Sequence, residues 1–384
     1  MIQYGSQNID NSDKEAVLAV LNSDFLTQGP EIHLFESALS NYCSVKHAIA
    51  VSSATAALHI SYLALGLKPG DIVWTSPNTF VATANAALYS GAKLDFVDID
   101  PNTGNMSTES LAEKLLEAER NNTLPSIIVP VHFAGQSCDM KAINELCKKY
   151  DISIVEDASH ALGASYKDSM VGSCKYSDLS VFSFHPVKMI TTGEGGAITT
   201  NNSELQHKLN LLRSHGIERS DDISENHGPW YYEQTSLGFN YRLSDIQAAL
   251  GRSQLKRLDS FVSHRNQLAE RYMMKLDSNS LTPLSVYEYG KSSYHIFVAK
   301  LDNTNLKRKD VFNALYNKGI GTNVHYIPIY WQPFYQSLGF KKGHCPQAEA
   351  YYHSAITLPL HTKLENKDVD NISTTLNIIL QHGE

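Results

Sequence analysis

Cysteine is scarce in this chain, and the spacing of its cysteines excludes two common kinds of site. The 384 residues include five cysteines, and none of them forms a C-x-x-C pair. An odd number of scattered cysteines encodes neither a disulfide framework nor a structural zinc site. His344 and Cys345 are direct neighbours rather than spaced for ligation. We therefore expect reduced thiols and no bound metal.

Long apolar runs and blocks of one charge are also absent from the sequence. No apolar stretch approaches the roughly 20 residues that a bilayer-spanning helix needs, and the start of the chain has no charged-then-apolar leader. The net charge of -8 is spread along the chain without a basic patch. Nucleic acid and anionic membranes are therefore not expected as partners, and we expect a cytoplasmic protein.

The sequence does contain a regular alternation of strand-like and helix-like segments. Segments with helical spacing separate five nearly continuous apolar runs, at residues 72–76, 93–97, 126–131, 152–155 and 180–184. This alternation is typical of an α/β protein in which helices cover both faces of a mostly parallel sheet.

The C-terminal part of the chain has a different order of elements. After residue 250, predicted strands at residues 294–301 and 322–326 lie among predicted helices, which indicates a smaller α+β domain. We therefore predict a large domain with an N-terminal arm over residues 1–250, and a small domain over residues 251–384. Residues 218–233 are polar and of mixed charge, and they are predicted to form a long loop that serves as a lid or a contact arm.

Lys188 lies directly after one of the predicted buried strands. Pro186 ends that strand because it has no backbone donor, and glycines between residues 193 and 196 let the chain turn before an extended segment resumes. Most lysines are solvated surface residues. A lysine between core strands loses hydration, which lowers the pKa of its amine and lets the neutral amine form a Schiff base with a carbonyl. This position favours pyridoxal phosphate (PLP), a cofactor bound through such a lysine.

A PLP site also needs an acid for the pyridine nitrogen, a phosphate cradle and a flat group against the ring. Asp157 emerges from an apolar strand, where it either partners a protonated ring nitrogen or caps the next turn. Residues 52–58 lead from a strand into a helix, which suits either a phosphate or an ordinary serine N-cap. His160 and Phe80 either contact the ring or are structural residues of the core.

Seven segments, in the same order along the chain, resemble motifs of the DegT/DnrJ/EryC1/StrS sugar-nucleotide aminotransferase family. They are residues 52–59, 79–80, 156–161, 183–188, 193–196, 238–242 and 324–326. The likeness extends over nearly the whole chain. It implies a fold type I PLP-dependent transferase that works as a homodimer with a shared active site.

The resemblance also implies a role for each matching position. Lys188 matches the Schiff-base lysine, which is also the general base, and Asp157 matches the partner of the pyridine nitrogen. His160 matches the residue near the phenolic oxygen of the ring, and Phe80 matches the stacking ring. The phosphate contacts of the family match Ala54, Thr55, Ser183 and Asn240. The contact that matches Asn240 comes from the neighbouring subunit.

Within the family, residues 4–7, 26–30 and 185–188 look most like 4-aminotransferases of pseudaminic acid synthesis. Such enzymes move an amino group from L-glutamate to the 4-keto carbon of a UDP-linked 4-keto-6-deoxy-N-acetyl sugar. The residues then expected to line the sugar-nucleotide pocket are Tyr4, Asp24, Phe25, Leu26, Thr27, His325, Tyr326, Ile327 and Pro328.

Three alternative functions stay open at this point. They are amination of a 3-keto sugar nucleotide, PLP-dependent dehydration of a sugar, and a non-catalytic regulator with the same fold. The related dehydratases carry histidine in place of the lysine, so the presence of Lys188 disfavours dehydration.

Overall fold

A seven-stranded sheet forms the centre of the fold. The computed structural model describes residues 1–219, 227–302 and 304–382. Residues 220–226, the middle of the predicted loop at residues 218–233, lie outside the described residues. The strands are β1 (His47–Val51), β2 (Ile72–Thr75), β3 (Lys93–Phe96), β4 (Ile127–Val129), β5 (Ser153–Asp157), β6 (Ser165–Tyr166), β7 (Ser169–Met170), β8 (Leu179–Ser183), β9 (Gly196–Thr200), β10 (Ile217–Glu218), β11 (Glu233–Gln234), β12 (Leu281–Pro283), β13 (Gly290–Lys291), β14 (Phe297–Leu301) and β15 (Ala355–Leu358).

Helices connect most of these strands. They are α1 (Asn11–Leu21), α2 (Pro30–Cys43), α3 (Ala54–Ala64), α4 (Val81–Tyr89), α5 (Thr108–Asn121), α6 (Met140–Lys148), α7 (Ser203–Arg213), α8 (Asp245–Leu255), α9 (Leu258–Lys275), α10 (Arg308–Asn317), α11 (Pro333–Ser337), α12 (Pro346–Ser354) and α13 (Asn366–His382). Each helix along the described parts of the chain is too short or too polar to cross a lipid bilayer.

The central sheet has the strand order β1-β9-β8-β5-β4-β2-β3. Strand β9 is antiparallel to both of its neighbours, β1 and β8, and the other neighbouring strands are parallel. Six of the seven strands therefore point in one direction, and their carboxyl ends lie at one edge of the sheet. The predicted α/β class with a mostly parallel sheet is confirmed, and the five apolar runs correspond to β2, β3, β4, β5 and β8.

Both faces of this sheet are buried, which explains why its strands read as nearly continuous apolar runs. In β8, Val181 packs in a cluster with Leu58 of α3 and Leu209 of α7, whereas Phe182 packs in another cluster with Phe35 of α2. Successive residues of a strand point to opposite faces, so a strand covered on both sides needs apolar residues at consecutive positions.

A second, antiparallel sheet is formed by β12, β14 and β15. It shares an apolar cluster with helices α9, α10 and α13. Helix α9 contributes to two cores, since Val262 packs in a cluster of the central sheet and Leu268 packs in the C-terminal cluster. At the other end of the chain, Ile2 pairs with Ile320. The division at residue 251 stays a prediction.

Arg265 of α9 is a buried cation that connects three backbone positions. It is 2% exposed, and its Nη1 donates hydrogen bonds to the carbonyl oxygens of Tyr294, His295 and Leu360. Burial lowers the pKa of the guanidinium to about 10. The group therefore remains charged at neutral pH, and its donors hold residues 294–295 and 360 against α9.

We expect the substitution Arg265→Met to lower the free energy of unfolding by about 3 kcal/mol, because buried carbonyl oxygens would lose a charged donor. Urea-induced unfolding followed by circular dichroism measures this change. The control is Lys208→Met, which removes a cation that is 47% exposed and pairs with Glu204. The control should change the free energy by less than about 0.5 kcal/mol. Equal losses in the two variants would contradict the role given to Arg265.

Candidate active site

The segments that follow four strands meet at the carboxyl edge of the central sheet. Residues 53–55 follow β1, Thr79 and Phe80 follow β2, Asp157 ends β5, and Lys188 follows β8. These strands point in the same direction, so the segments at their carboxyl ends lie side by side, where open α/β sheets bind ligands.

A cavity of about 500 Å³ opens at this edge. The residues predicted from the sequence that line it are Tyr4, Ala54, Thr55, Phe80, Asp157, His160, Ser183, Lys188, His325 and Tyr326. The structure thus brings the residues predicted for the cofactor in this chain together with part of the predicted sugar pocket.

The amine of Lys188 is desolvated. Burial lowers the pKa of Lys188 to about 8, although the nearby carboxylate of Asp157 opposes the shift. Near pH 8 much of the amine is therefore neutral, whereas an ordinary surface lysine is almost fully protonated at that pH. A neutral amine at the rim of a cavity can condense with an aldehyde.

Asp157 is a buried carboxylate that accepts several hydrogen bonds. Its Oδ1 accepts hydrogen bonds from the backbone N–H of Ser159 at 3.1 Å and from the hydroxyl of the same residue at 2.6 Å. Its Oδ2 accepts a hydrogen bond from the hydroxyl of Thr83 at 2.7 Å. These donors compensate the carboxylate for the hydration that it loses on burial.

Three buried histidines, His160, His295 and His325, line the same cavity. The rings of His160 and His295 lie 4.4 Å apart between centroids, and the hydroxyl of Tyr326 lies 3.2 Å from Nε2 of His160. Burial is the main cause that lowers the pKa of all three histidines, and the charge of Lys188 adds to the shift. The pKa of His325 is lowered to about 3. All three imidazoles are therefore neutral at neutral pH.

The first turn of α3 forms a cradle of backbone N–H groups. Ser53 caps the helix by accepting a hydrogen bond from the N–H of Ala56, whereas the N–H groups of Ala54 and Thr55 have no acceptor within the helix. A Cβ at Gly196 would lie 2.6 Å from the backbone nitrogen of Ala54, so only glycine lets β9 approach this turn. N–H groups at a helix N-terminus bind phosphate favourably.

These groups fit PLP. The amine of Lys188 suits the aldehyde, the α3 cradle suits the phosphate, and the buried Asp157 suits a protonated ring nitrogen. Phe80 is 62% exposed although it lines the cavity, so its ring has an open face on which a flat ligand can stack.

The other predicted residues do not line this cavity. Residues 24–27 and Asn240 are exposed, and the large apolar side chains of Phe25 and Leu26 are 55% and 48% exposed. Ile327 is partly buried and Pro328 is buried, and both follow Tyr326 in the chain. The single chain therefore does not bring these residues to the cofactor site.

Sequence reasoning missed Thr83, Ser159 and His295. Ser159 stands two residues after Asp157, and this spacing is a local signal for a side-chain hydrogen bond. Thr83 precedes Asp157 by 74 residues, so no local pattern connects the two. His295 lies in a segment that was predicted as an alternating strand, and nothing in that pattern indicates its contact with His160.

Comparisons with known proteins assign the chain to a family. The DegT/DnrJ/EryC1/StrS aminotransferase family matches residues 7–377. A UDP-4-amino-4,6-dideoxy-N-acetyl-beta-L-altrosamine transaminase of Campylobacter jejuni is 42% identical over 383 residues, which cover 99% of this chain and 98% of that protein. The matched residues cover nearly the whole chain.

Solved structures agree in fold. Helicobacter pylori PseC, an aminotransferase involved in the biosynthesis of pseudoaminic acid, has a TM-score of 0.90 at 38% identity, with 99% of each chain covered. A Streptococcus pneumoniae protein described as a sugar aminotransferase has a TM-score of 0.92 in its PMP form at 29% identity, with 99% of each chain covered. That protein has also been solved in a PLP form. The predicted fold type and cofactor are thereby confirmed: the chain belongs to the DegT/DnrJ/EryC1/StrS aminotransferase family of PLP-dependent enzymes.

Proposed function

We propose that this aminotransferase moves the amino group of L-glutamate to the 4-keto carbon of a UDP-linked 4-keto-6-deoxy-N-acetyl sugar, as in pseudaminic acid biosynthesis. The observation that carries the proposal is the desolvated amine of Lys188, which shares one cavity with Asp157 and the α3 cradle. The choice of sugar is supported by the Campylobacter jejuni relative, whose name specifies a UDP-linked 4-amino-4,6-dideoxy sugar.

Several residues of this chain have separate roles in the reaction. Bound PLP supplies a ring that withdraws electrons from the carbon bonded to the transferred nitrogen. The Nζ of Lys188 takes a proton from the α-carbon of L-glutamate, which leaves as 2-oxoglutarate once water has replaced its nitrogen. In the second half-reaction Nζ delivers a proton to C4 of the sugar, whose keto oxygen leaves as water. Asp157 would hold the proton on the ring nitrogen, and the N–H groups of Ala54 and Thr55 would bind the phosphate.

The sugar nucleotide is proposed to contact Tyr4, His325 and Tyr326, which line the cavity around Lys188. The two tyrosines supply hydroxyl groups, and the imidazole of His325 is neutral, so it adds no charge beside the sugar. Such groups suit the hydroxyl and acetamido groups of a sugar.

Incubation with L-glutamate and a panel of UDP- and dTDP-linked keto sugars tests the proposal. We expect loss of the yellow absorbance of the bound cofactor with L-glutamate, and an aminated product from the UDP-linked 4-keto-6-deoxy-N-acetyl sugar. NMR of the product locates the new amine. An amine at C3 would favour the 3-keto alternative, and loss of oxygen without amination would favour a dehydratase. No reaction with any sugar would favour a regulator.

The amine of Lys188 should capture PLP in a pH-dependent manner. Only the neutral amine attacks the aldehyde, so the capture rate of the apo protein should rise with pH, with a midpoint near the pKa of about 8, and level off above it. Stopped-flow absorbance measures this rate. The variant Lys188→Ala should capture no PLP covalently and should show no turnover. Transamination by this variant at the wild-type rate would refute the assignment.

We further propose that the active site is shared across a homodimer. Asn240, Phe25 and Leu26 match or adjoin family motifs, yet they are exposed on the single chain. Large apolar side chains exposed on a single chain are the kind of surface that a second subunit covers. In this arrangement, residues 24–27 and Asn240 reach the cavity of the partner.

Mixing two inactive variants tests the shared site. Lys188→Ala disables the subunit's own site, whereas Asn240→Asp places a carboxylate near the phosphate in the partner's site. After subunit exchange in an equimolar mixture, about a quarter of the sites should be intact, and activity should recover to about that fraction. As a control, a mixture of Lys188→Ala with Asp157→Asn has no intact site and should stay inactive. No recovery in the first mixture would contradict the shared site.

A cytoplasmic location is part of the proposal. All five cysteines are buried and free of disulfides. Proteins of oxidising compartments commonly pair their cysteines, whereas cytosolic proteins keep them reduced. The thiols of this chain therefore favour a reducing compartment.

A further inference from the structure

We propose that Thr83 is a positioning residue for Asp157, and that Oδ2 of Asp157 is the oxygen that faces the ring nitrogen of the cofactor. This inference rests on the PLP-dependent function proposed above. It concerns an atom and a residue that motif reasoning does not single out, because Thr83 lies 74 residues before Asp157.

Counting acceptor positions on Asp157 assigns its two oxygens. A carboxylate offers about four lone-pair positions, two on each oxygen. Both positions on Oδ1 are used by Ser159, through its N–H at 3.1 Å and its hydroxyl at 2.6 Å. Thr83 uses one position on Oδ2, at 2.7 Å. One acceptor position therefore remains, and it is on Oδ2, the oxygen that accepts the hydrogen bond from Thr83.

The direction of the Thr83 hydrogen bond follows from its surroundings. The hydroxyl has a single proton, and the carboxylate at 2.7 Å is a closer and stronger acceptor than the Phe80 carbonyl at 3.3 Å. The hydroxyl of Thr79 lies 2.8 Å from that of Thr83, so it must act as the donor between the two. The result is a directed chain of hydrogen bonds from Thr79 through Thr83 to Asp157.

The residues of this hydrogen-bond chain are buried, and the backbone of Thr83 is held by a further hydrogen bond. Thr79, Thr83 and Asp157 are each 4% exposed or less, and the hydroxyl of Tyr62 donates to the carbonyl oxygen of Thr83 at 3.1 Å. A buried, charge-assisted bond of this kind fixes the orientation of the carboxylate more firmly than one open to water.

The same turn also carries the stacking residue. Phe80 is the N-cap of α4 and lies between Thr79 and Thr83 in the sequence. A shift of this turn would therefore move both the ring that stacks on the cofactor and the donor that orients Asp157. Thr83 thus links the position of the cofactor plane to the position of the acid.

The experiment compares Thr83→Val, which removes the hydroxyl at nearly constant shape, with Thr83→Ser, which keeps it. The matched control is Thr75→Val, since Thr75 is also buried and its hydroxyl donates to the Val129 carbonyl oxygen at 2.8 Å, away from the cavity. For each protein we measure kcat, the KM of both substrates, the affinity of the apo protein for PLP, and thermal unfolding.

We expect Thr83→Val to lower kcat and PLP affinity by about 10-fold to 100-fold, the effect of one charge-assisted hydrogen bond, with little change in either KM. Thr83→Ser should keep both values near those of the wild type, and Thr75→Val should change only the thermal unfolding. The inference is overturned if Thr83→Val behaves like Thr75→Val, or if the serine variant is as impaired as the valine variant.

A crystal structure of the wild-type protein with PLP provides a test that does not depend on any variant. The ring nitrogen should lie within hydrogen-bond distance of Oδ2, and a ring nitrogen bound to Oδ1 instead would overturn the assignment. Failure of the wild-type protein to bind PLP or to transaminate would refute the proposed function itself. A fully active wild type with an unimpaired Thr83→Val refutes the present inference alone.

Discussion

Loss of hydration at the amine of Lys188 is the constraint on which the site depends. Burial makes the ammonium form costly, and Asp157 is the charge that opposes this cost. The three histidines around the cavity are neutral, so they add no further positive charge beside the amine. A protonated histidine here would instead repel the ammonium and would compete for Asp157.

The sheet topology places the groups that work with this amine. Strand β9 is antiparallel to both β1 and β8, so β1 is parallel to β8 and its carboxyl end lies at the same edge. The α3 cradle, which follows β1, thereby comes close to Lys188, which follows β8. Gly196 at the start of β9 permits the close approach to the α3 turn. One reversed strand thus places the α3 cradle next to the lysine.

Much of the site could be predicted from local patterns. Apolar runs predicted β5 and β8, and Pro186 and the glycines after it predicted the turn around Lys188. Asp157 was found because an acid at the end of an apolar strand needs a partner, and His160 was found because it stands three residues later in the same segment. The role of residues 24–27 could not be judged in the same way, because their exposure became visible only once the chain was folded.

By itself, the sequence determined the order of strands and helices in and around the central sheet and the chemical groups at the strand ends. Apolar periodicity, proline and glycine act over a few residues, so they can be read without the fold. Only the tertiary structure decided that Thr83 donates a hydrogen bond to Asp157, that His295 packs on His160, and that burial lowers the pKa of Lys188 as far as about 8. Those features depend on which strands are neighbours in the sheet and on how completely water is excluded, and both are properties of the whole folded chain.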